Sequence, residues 1–170
     1  QDGLFRLERT GNDRFKIRQF TRQKDDPYSL SYNSIYTIFQ DSKSRIWVGC
    51  YGGGLNLIEE TQEGEIRFLH SGNKLTGYSK ERFAKVRYIT EANRVLLVGT
   101  TEGLLTFSSE FTQPEQIEFY RNIRIPDKVS SLCSNDVIYI YTDSRKDTYV
   151  LSFTGGLNKI LSENLLSDQI

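Results

Sequence analysis

Three carboxylates recur at intervals of about 50 residues and are the first candidates for acid–base chemistry. Asp41, Glu91 and Asp143 each follow an apolar run and precede a short polar stretch. A glycosidase needs two carboxyl groups within roughly 5–10 Å of each other. Residues at one equivalent position of successive repeats are held apart instead, and an aspartate at the start of a turn bonds to backbone N–H groups. We interpret all three as turn residues, and the sequence predicts no catalytic residue.

Glycines, a histidine and two cysteines are the residues that could hold a phosphate or a metal. Gly52-Gly53-Gly54 is followed by a strand pattern, whereas a phosphate loop leads into a helix, so we interpret it as a tight turn. His70 is the only histidine, and Cys50 and Cys133 have no metal-ligand spacing. We therefore predict no metal site and no cofactor. We expect His70 to be a solvated loop residue and the two cysteines not to be bridged.

Aromatic side chains are the candidates for binding, because their faces stack on the apolar faces of sugars and their polar edges form hydrogen bonds. The predicted ligand-binding residues are Tyr51, Arg45, Tyr36 and Tyr139. Tyr51 stands beside the glycine turn, and Arg45 could donate hydrogen bonds to hydroxyl groups but also fits a turn. Trp47 lies in a strand pattern, and we expect it to pack inside the fold.

The elements that must position these residues repeat along the chain. A shift of 102 residues places 29–56 on 131–158 without a gap. The identical pairs include Ser29/Ser131, Leu30/Leu132, Asn33/Asn135, Asp41/Asp143, Val48/Val150, Gly53/Gly155, Gly54/Gly156, Leu55/Leu157 and Asn56/Asn158. A copy between them matches at Glu91 and Gly103-Leu104, and a partial copy opens the chain at Gly3-Leu4-Phe5. The repeating unit therefore has about 51 residues.

Each unit has the pattern of four short strands joined by turns. In the first full unit these strands are predicted at 35–40, 46–48, 55–58 and 65–69, from β-branched and aromatic runs and from alternation. The fourth strand recurs 51 residues on, as Ile66/Ile117 and Phe68/Phe119. Four strands in a unit of roughly 40–50 residues are typical of a propeller blade. The predicted fold class is all-β, a partial β-propeller of four-stranded antiparallel blades without a long helix.

The predicted boundaries place the whole chain, 1–170, in one propeller domain. Residues 1–20 end a preceding blade, three blades occupy 33–70, 83–121 and 135–161, and 164–170 begin the next unit. About three and a half blades cannot close a ring, because propellers have 4–8 of them. Open blade faces and strand edges favour association. We expect the chain to self-associate or to pair with the remaining blades of its parent protein.

Composition excludes several classes of function. Lysine plus arginine equals aspartate plus glutamate at 22 each, which gives no electrostatic reason to expect nucleic acid or a membrane surface as a partner. No apolar stretch is long enough to span a membrane. Methionine is absent and the chain opens on Gln1, so we expect a piece of a longer protein.

The first full unit carries four motifs in a fixed order. They are a Ser-Leu-x-x-Asn-x-Ile start at Ser29–Ile35, an acidic residue at Asp41, a Trp-Val-Gly strand at Trp47–Gly49 and a Gly-Gly-Leu-Asn turn at Gly53–Asn56. In this order they resemble the two-component regulator propeller repeat. The later units depart from it, because Leu97 and Tyr149 replace the tryptophan.

The resemblance implies a sensor. Proteins with this repeat are typically the extracytoplasmic part of hybrid two-component systems of gut bacteria, and many of them sense oligosaccharides. It therefore implies a periplasmic, ligand-sensing and non-enzymatic region, whose parent is a sensor histidine kinase. A propeller scaffold for protein partners is the alternative function, and a glycan-degrading enzyme is a third, since fold alone does not choose between them.

Overall fold

The computed structural model describes residues 2–168 and 170, and in it the chain is almost entirely antiparallel β-structure. A first sheet contains β1 (Leu4–Gly11) and β2 (Arg14–Phe20). Blade 1 contains β3 (Ile35–Gln40), β4 (Ile46–Cys50), β5 (Gly54–Glu60) and β6 (Ile66–Leu69). Blade 2 contains β7 (Val86–Ala92), β8 (Val95–Thr100), β9 (Gly103–Ser108) and β10 (Tyr120–Asn122). Blade 3 contains β11 (Val137–Thr142), β12 (Thr148–Ser152) and β13 (Gly156–Lys159).

The first two strands of blades 1 and 3 are joined by tight hairpins whose turn residues satisfy the backbone. Between β3 and β4 the Asp41 carboxylate accepts hydrogen bonds from the backbone N–H groups of Lys43 and Arg45, at 3.0 and 2.9 Å. Asp143 does the same for the N–H groups of Arg145 and Asp147 between β11 and β12. This is the turn role expected of an aspartate at that position. It confirms the turn interpretation of Asp41 and Asp143.

The core lies between neighbouring blades rather than within one sheet. Trp47 and Leu55 of blade 1 are fully buried against Leu96 and Phe107 of blade 2. Gly49 permits the blades to approach closely, because a Cβ atom there would lie 2.5 Å from a methyl carbon of Val86. Each sheet therefore depends on its neighbour to cover an apolar face, as in a propeller.

The segments that lead into blades 1 and 3 are held by the same hydrogen bonds. The Ser29 hydroxyl accepts from the N–H of Gln23, and Asn33 Oδ1 accepts from the N–H of Arg22. Their repeat equivalents Ser131 and Asn135 bond to the backbone N–H groups of Ile125 and Arg124, each 102 residues further on. Asn56 and Asn158 accept from the backbone N–H groups of Ser31 and Cys133. The identical residues of the repeat therefore form a common frame.

Two strand-level expectations are corrected by the structure. In blade 2 the fourth strand is not at Ile117–Phe119 but at Tyr120–Asn122, after a 3₁₀ turn that begins with Pro114. It pairs with the first half of β9, whereas β6 pairs with the second half of β5. Blade 3 has three strands, since the chain turns inward after β13 and buries Ile160. The predicted second unit also begins inside a short helix, α1 (Lys80–Phe83).

The C-terminal segment packs back onto blades 2 and 3. Leu165 is buried in the core that they share, and its carbonyl accepts a hydrogen bond from the Thr106 hydroxyl at 2.6 Å. The Asp168 carboxylate accepts from the N–H of Arg121. Gln1 and Gln169, at the ends of the predicted segments 1–20 and 164–170, lie outside the described residues. The described residues contain no helix with the length and apolar character needed to cross a bilayer.

Candidate functional site

The first strand of every blade contains a β-bulge at the same position. Pairing shifts by one residue between Ile35 and Thr37, and the shift recurs in the first strands of blades 2 and 3. The extra residues are Tyr36, Arg87 and Ile138. A bulge bends a strand and redirects a side chain, and bulges are over-represented next to functional sites. The three first strands lie side by side, so their bulged residues lie at the same end of the blades.

One backbone hydrogen bond recurs beside each bulge. The residue after the second strand donates its N–H to the carbonyl of the residue just before the first strand. The three bonds are Tyr51 to Ser34 at 2.8 Å, Thr101 to Lys85 at 3.2 Å and Phe153 to Asp136 at 2.7 Å. We call these six residues, with the three bulged residues, the bulge end. Its backbone hydrogen bonds are the same in each blade, whereas its side chains differ from blade to blade.

Tyrosine and cationic side chains meet at the bulge end between blades 1 and 2. The rings of Tyr36 and Tyr51 stack with centroids 4.6 Å apart and an interplanar angle of 21°. The Lys85 ammonium and the Arg87 guanidinium lie 5.4 and 5.5 Å from the centre of the Tyr51 ring, a cation–π distance. Tyr36 keeps 55% of its surface exposed. The structure thus brings together two of the predicted binding residues, Tyr36 and Tyr51.

An ion pair continues the bulge end from blade 2 to blade 3. Arg87 donates two hydrogen bonds to the Asp136 carboxylate, at 2.6 and 3.0 Å. Both side chains are about a quarter exposed, and the geometry is bidentate, which fixes the guanidinium plane. The side chains from Tyr36 to Asp136 therefore form one continuous row across three blades.

Tyr139 lies one residue beyond the bulge of blade 3 and contacts Tyr88. Their ring centroids are 4.6 Å apart. Burial raises the pKa of Tyr88 above its usual value, and the adjacent Tyr139 hydroxyl raises it further by favouring the neutral form. Tyr139 itself is 44% exposed, beside the bulge end rather than among its nine residues.

Arg45, the fourth predicted binding residue, lies at the opposite end of β4 from the glycine turn. Its guanidinium bonds to the Asp41 carboxylate at 2.7 Å and to the Ser109 carbonyl at 2.6 Å, and it stacks 3.9 Å from the Phe111 ring centre. The structure does not bring Arg45 together with the tyrosines. Its donors instead join blade 1 to blade 2.

Glu91 differs from the other two repeated carboxylates. It accepts hydrogen bonds from the backbone N–H and the hydroxyl of Ser42, at 2.6 and 2.7 Å, and so links the two blades. The expectation of a turn role within its own unit is therefore wrong for Glu91. The cause is its longer side chain, which reaches the preceding hairpin, whereas Asp41 and Asp143 reach only their own turns.

His70 and the cysteines have structural surroundings. His70 is half-buried rather than solvated, its ring nitrogen Nδ1 accepts a hydrogen bond from the N–H of Gly72 at 3.0 Å, and burial lowers its pKa. Cys50 is buried and free, while Cys133 is exposed and free. Within residues 2–168 and 170, no group of three or more metal-binding side chains is clustered.

Sequence reasoning missed Lys85, Arg87 and Asp136. A signal for them was present in the repeat: Arg87 stands 51 residues after Tyr36, and Asp136 stands 51 after Lys85. Positions whose residues differ between units are not needed for the common hydrogen bonds of the repeat, so their side chains are free to bind a ligand. The bulge that displays them is visible only in the strand pairing.

Comparison with known proteins supports the propeller fold. Residues 29–52 match the family described as two component regulator propeller. The extracellular domain of BT4673 from B. thetaiotaomicron, described as a hybrid two component system, has a TM-score of 0.62 with 18% identity, over 96% of this chain and 23% of its own length. The corresponding domain of BT3049 from the same organism has a TM-score of 0.56 with 19% identity, over 85% of this chain and 18% of its own. A search of curated proteins gives no match.

These likenesses agree with the geometry. The chain spans less than a quarter of the two extracellular domains, as the coverages of 23% and 18% show. The matched residues 29–52 contain the Asp41 turn and the buried Trp47 that hold blade 1 together. This chain is built as part of a β-propeller, and its residues 29–52 match the two component regulator propeller repeat.

Proposed function

We propose that this chain is the ligand-sensing, periplasmic part of a hybrid two-component regulator and that it binds an oligosaccharide at the bulge end. The observation that carries the proposal is the stacked pair Tyr36–Tyr51, in which Tyr36 is more than half exposed and the Tyr51 ring contacts a lysine and an arginine. Aromatic faces stack on sugar faces, and polar groups around them give specificity. Trp47, the only tryptophan, is buried and is not available for this contact.

The arrangement suits a sensor rather than a catalyst. The bulge-end contacts cross from blade 1 to blade 2 at Tyr51 and from blade 2 to blade 3 at Arg87. A ligand that touches several blades binds one relative arrangement of them best and shifts the population toward it. Binding without bond breaking, transmitted by domain movement to a kinase in the parent protein, is the mechanism that we propose.

A scaffold for protein partners is the second candidate function, because blade 3 has an uncovered apolar face. Leu157 is 62% exposed, Phe153 59% and Tyr141 54%. Apolar patches of this kind mark protein interfaces. The partner would be a second copy of this chain or the remaining blades of its parent.

Calorimetric titration of the chain with a panel of oligosaccharides tests the main proposal. The variants Tyr36→Ala and Tyr51→Ala should each weaken binding by about tenfold or more, in line with the loss of one aromatic contact. The control Tyr141→Ala removes an equally exposed tyrosine from the far face of blade 3 and should bind like the wild type. Absence of saccharide binding, or equal loss in all three variants, would contradict the proposal. Light scattering over a concentration series examines the scaffold alternative.

A further inference from the structure

The charged groups of the bulge end do not balance. It contains two cations, Lys85 and Arg87, and one carboxylate, Asp136, whereas the whole chain has a formal net charge of zero. Arg87 and Asp136 neutralise each other in their bidentate pair. Glu102, the acidic residue that follows Thr101, lines a separate cleft with Arg82 and Arg121. The unbalanced charge therefore belongs to Lys85.

Lys85 is held in place but not ion-paired. Its carbonyl accepts the N–H of Thr101, and it forms a β-bridge with Tyr51. Its ammonium lies by the Tyr51 ring, and it makes no ion pair with a carboxylate anywhere in residues 2–168 and 170. Other lysines do have such partners: Lys43 pairs with Glu110 at 3.1 Å and Lys74 with Glu115 at 2.6 Å. The backbone thus fixes an exposed, unpaired cation beside the tyrosine pair.

We propose that the ligand of the bulge end is an anionic oligosaccharide, whose carboxylate or sulfate group binds the Lys85 ammonium. This inference rests on the proposed function, since it specifies the ligand of the same site. A ligand anion would add a charge-assisted hydrogen bond where the protein supplies no counter-charge. The charge of Arg87 is already neutralised by Asp136, so Arg87 supplies no net positive charge for a ligand anion and orients the site instead.

We expect the ligand to contain more than one sugar. The ring centroids of Tyr36 and Tyr51 lie 4.6 Å apart, and the Lys85 ammonium lies 5.4 Å from the Tyr51 ring centre. One sugar ring covers the exposed face of Tyr36, and the acidic group belongs to a linked sugar nearer to Lys85. The tyrosines therefore recognise the sugar backbone, and Lys85 distinguishes acidic chains from neutral ones.

Calorimetric titration with matched oligosaccharides tests the inference. Neutral, uronate-containing and sulfated oligosaccharides of one length are compared at low and high salt, and an acidic peptide is included. We expect the anionic sugars to bind at least about tenfold more tightly than the neutral ones, with an advantage that salt reduces. Comparison of the uronate-containing with the sulfated oligosaccharides shows whether Lys85 binds a carboxylate or a sulfate group. Lys85→Gln should lower the affinity for anionic sugars to that for neutral ones, while Lys43→Gln, at the opposite end of the blade, should have no effect.

The outcomes separate this inference from the proposed function. If neutral sugars bind and Tyr36→Ala weakens them, but charge gives no advantage, the anionic inference is wrong and the sensor proposal stands. If no sugar binds, both are wrong. Tight binding of the acidic peptide without sugar binding would also overturn both and favour the scaffold. Because Lys85 is exposed, Lys85→Gln should melt like the wild type, so a loss of affinity reports on binding and not on folding.

Discussion

Blades 1 and 3 are related by a shift of 102 residues, and they use the same frame for different packing. Their lead-in serines and asparagines and their turn aspartates make equivalent hydrogen bonds. Their faces toward the following blade differ. Trp47 is fully buried, whereas its equivalent Tyr149 is half-buried, and Leu55 is fully buried whereas Leu157 is 62% exposed. The comparison shows that turn and hydrogen-bond roles belong to the repeat, while burial depends on the neighbouring blade.

The largest effect should come from the tryptophan position. Trp47→Ala should lower the free energy of unfolding by about 3–5 kcal/mol, because a fully buried aromatic is truncated. Tyr149→Ala and Tyr51→Ala should each cost about 1 kcal/mol, as neither ring is fully enclosed. Urea unfolding of the three variants measures the difference. Equal midpoints would mean that blade 3 is as fully packed as blade 1.

The next largest loss of stability should come from Gly49, two residues after Trp47 in β4. Gly49→Leu should cost about 3 kcal/mol, since a side chain there would collide with Val86 across the interface and with Thr37 of the adjacent strand β3. Leu151 already occupies the equivalent position in blade 3, where it is 38% exposed. Leu151→Ala should therefore cost less than about 1 kcal/mol. Thermal melts compare the pair, and a well-folded Gly49→Leu variant would refute close blade contact at this position.

A smaller effect should appear at the asparagine that ends the repeat motif. Asn56 is fully buried, and its amide bonds to the Ser31 N–H at 3.1 Å and to the Ser31 hydroxyl at 2.8 Å. Asn56→Ala should cost about 1–3 kcal/mol, because it leaves buried polar groups unpaired. Asn158→Ala should cost less than half as much, since water can reach the groups that it frees. Denaturant titration distinguishes the two, and an equal loss would show that exposure does not matter here.

The smallest effect concerns acid stability. The pKa of Asp41 is lowered: burial alone would raise it, but hydrogen bonds from the Trp47 indole and from Arg45 outweigh burial. A carboxyl whose pKa is lower in the folded state stabilises the fold above its unfolded pKa, near 4, and this contribution is lost as the pH falls through the folded pKa. Asp41→Asn should cost about 1 kcal/mol at pH 7 and flatten the acid loss. Melting curves from pH 7 to pH 2 measure this.

Asp143, the less buried repeat equivalent of Asp41, serves as the control for this prediction. The pKa of Asp143 is also lowered, because hydrogen bonds from its own turn outweigh a smaller burial. It lacks the indole bond that Trp47 gives to Asp41. Asp143→Asn should therefore reduce the loss of stability at low pH less than Asp41→Asn does. An equal flattening in both variants would assign the effect to the turn alone and not to the tryptophan.

The repeat let the sequence predict most of the fold, because turns and alternating strands are local. Ile35–Gln40 was expected as a strand and is β3, and the 51-residue spacing returns in the first strands of blades 2 and 3. The fourth strand of blade 2 was misplaced, since its pairing with β9 begins only after the Pro114 turn. Proline in that segment was a local signal of a break.

The candidate site was only partly predictable, because its members come from different blades. Tyr36 and Tyr51 were visible as aromatics near a glycine turn. Lys85 and Asp136 look like ordinary surface charges until the bulges place them on the same end as the tyrosines. Arg45 is close to the glycine turn in sequence. It nevertheless lies at the other end of the blade, where its guanidinium bonds to the Ser109 carbonyl.

By itself the sequence determined the all-β class, the unit of about 51 residues and the turn roles of Asp41 and Asp143, because these depend on residues close in the chain. Tertiary structure alone decided which equivalent residues are buried and which charges remain unpaired. Both depend on the neighbouring blade. Leu55 is covered by blade 2, whereas Leu157 is left exposed. The Lys85 ammonium contacts the Tyr51 ring but pairs with no carboxylate among the described residues. Whether an apolar face is buried, or a charge is paired, depends on the surface that the fold places against it.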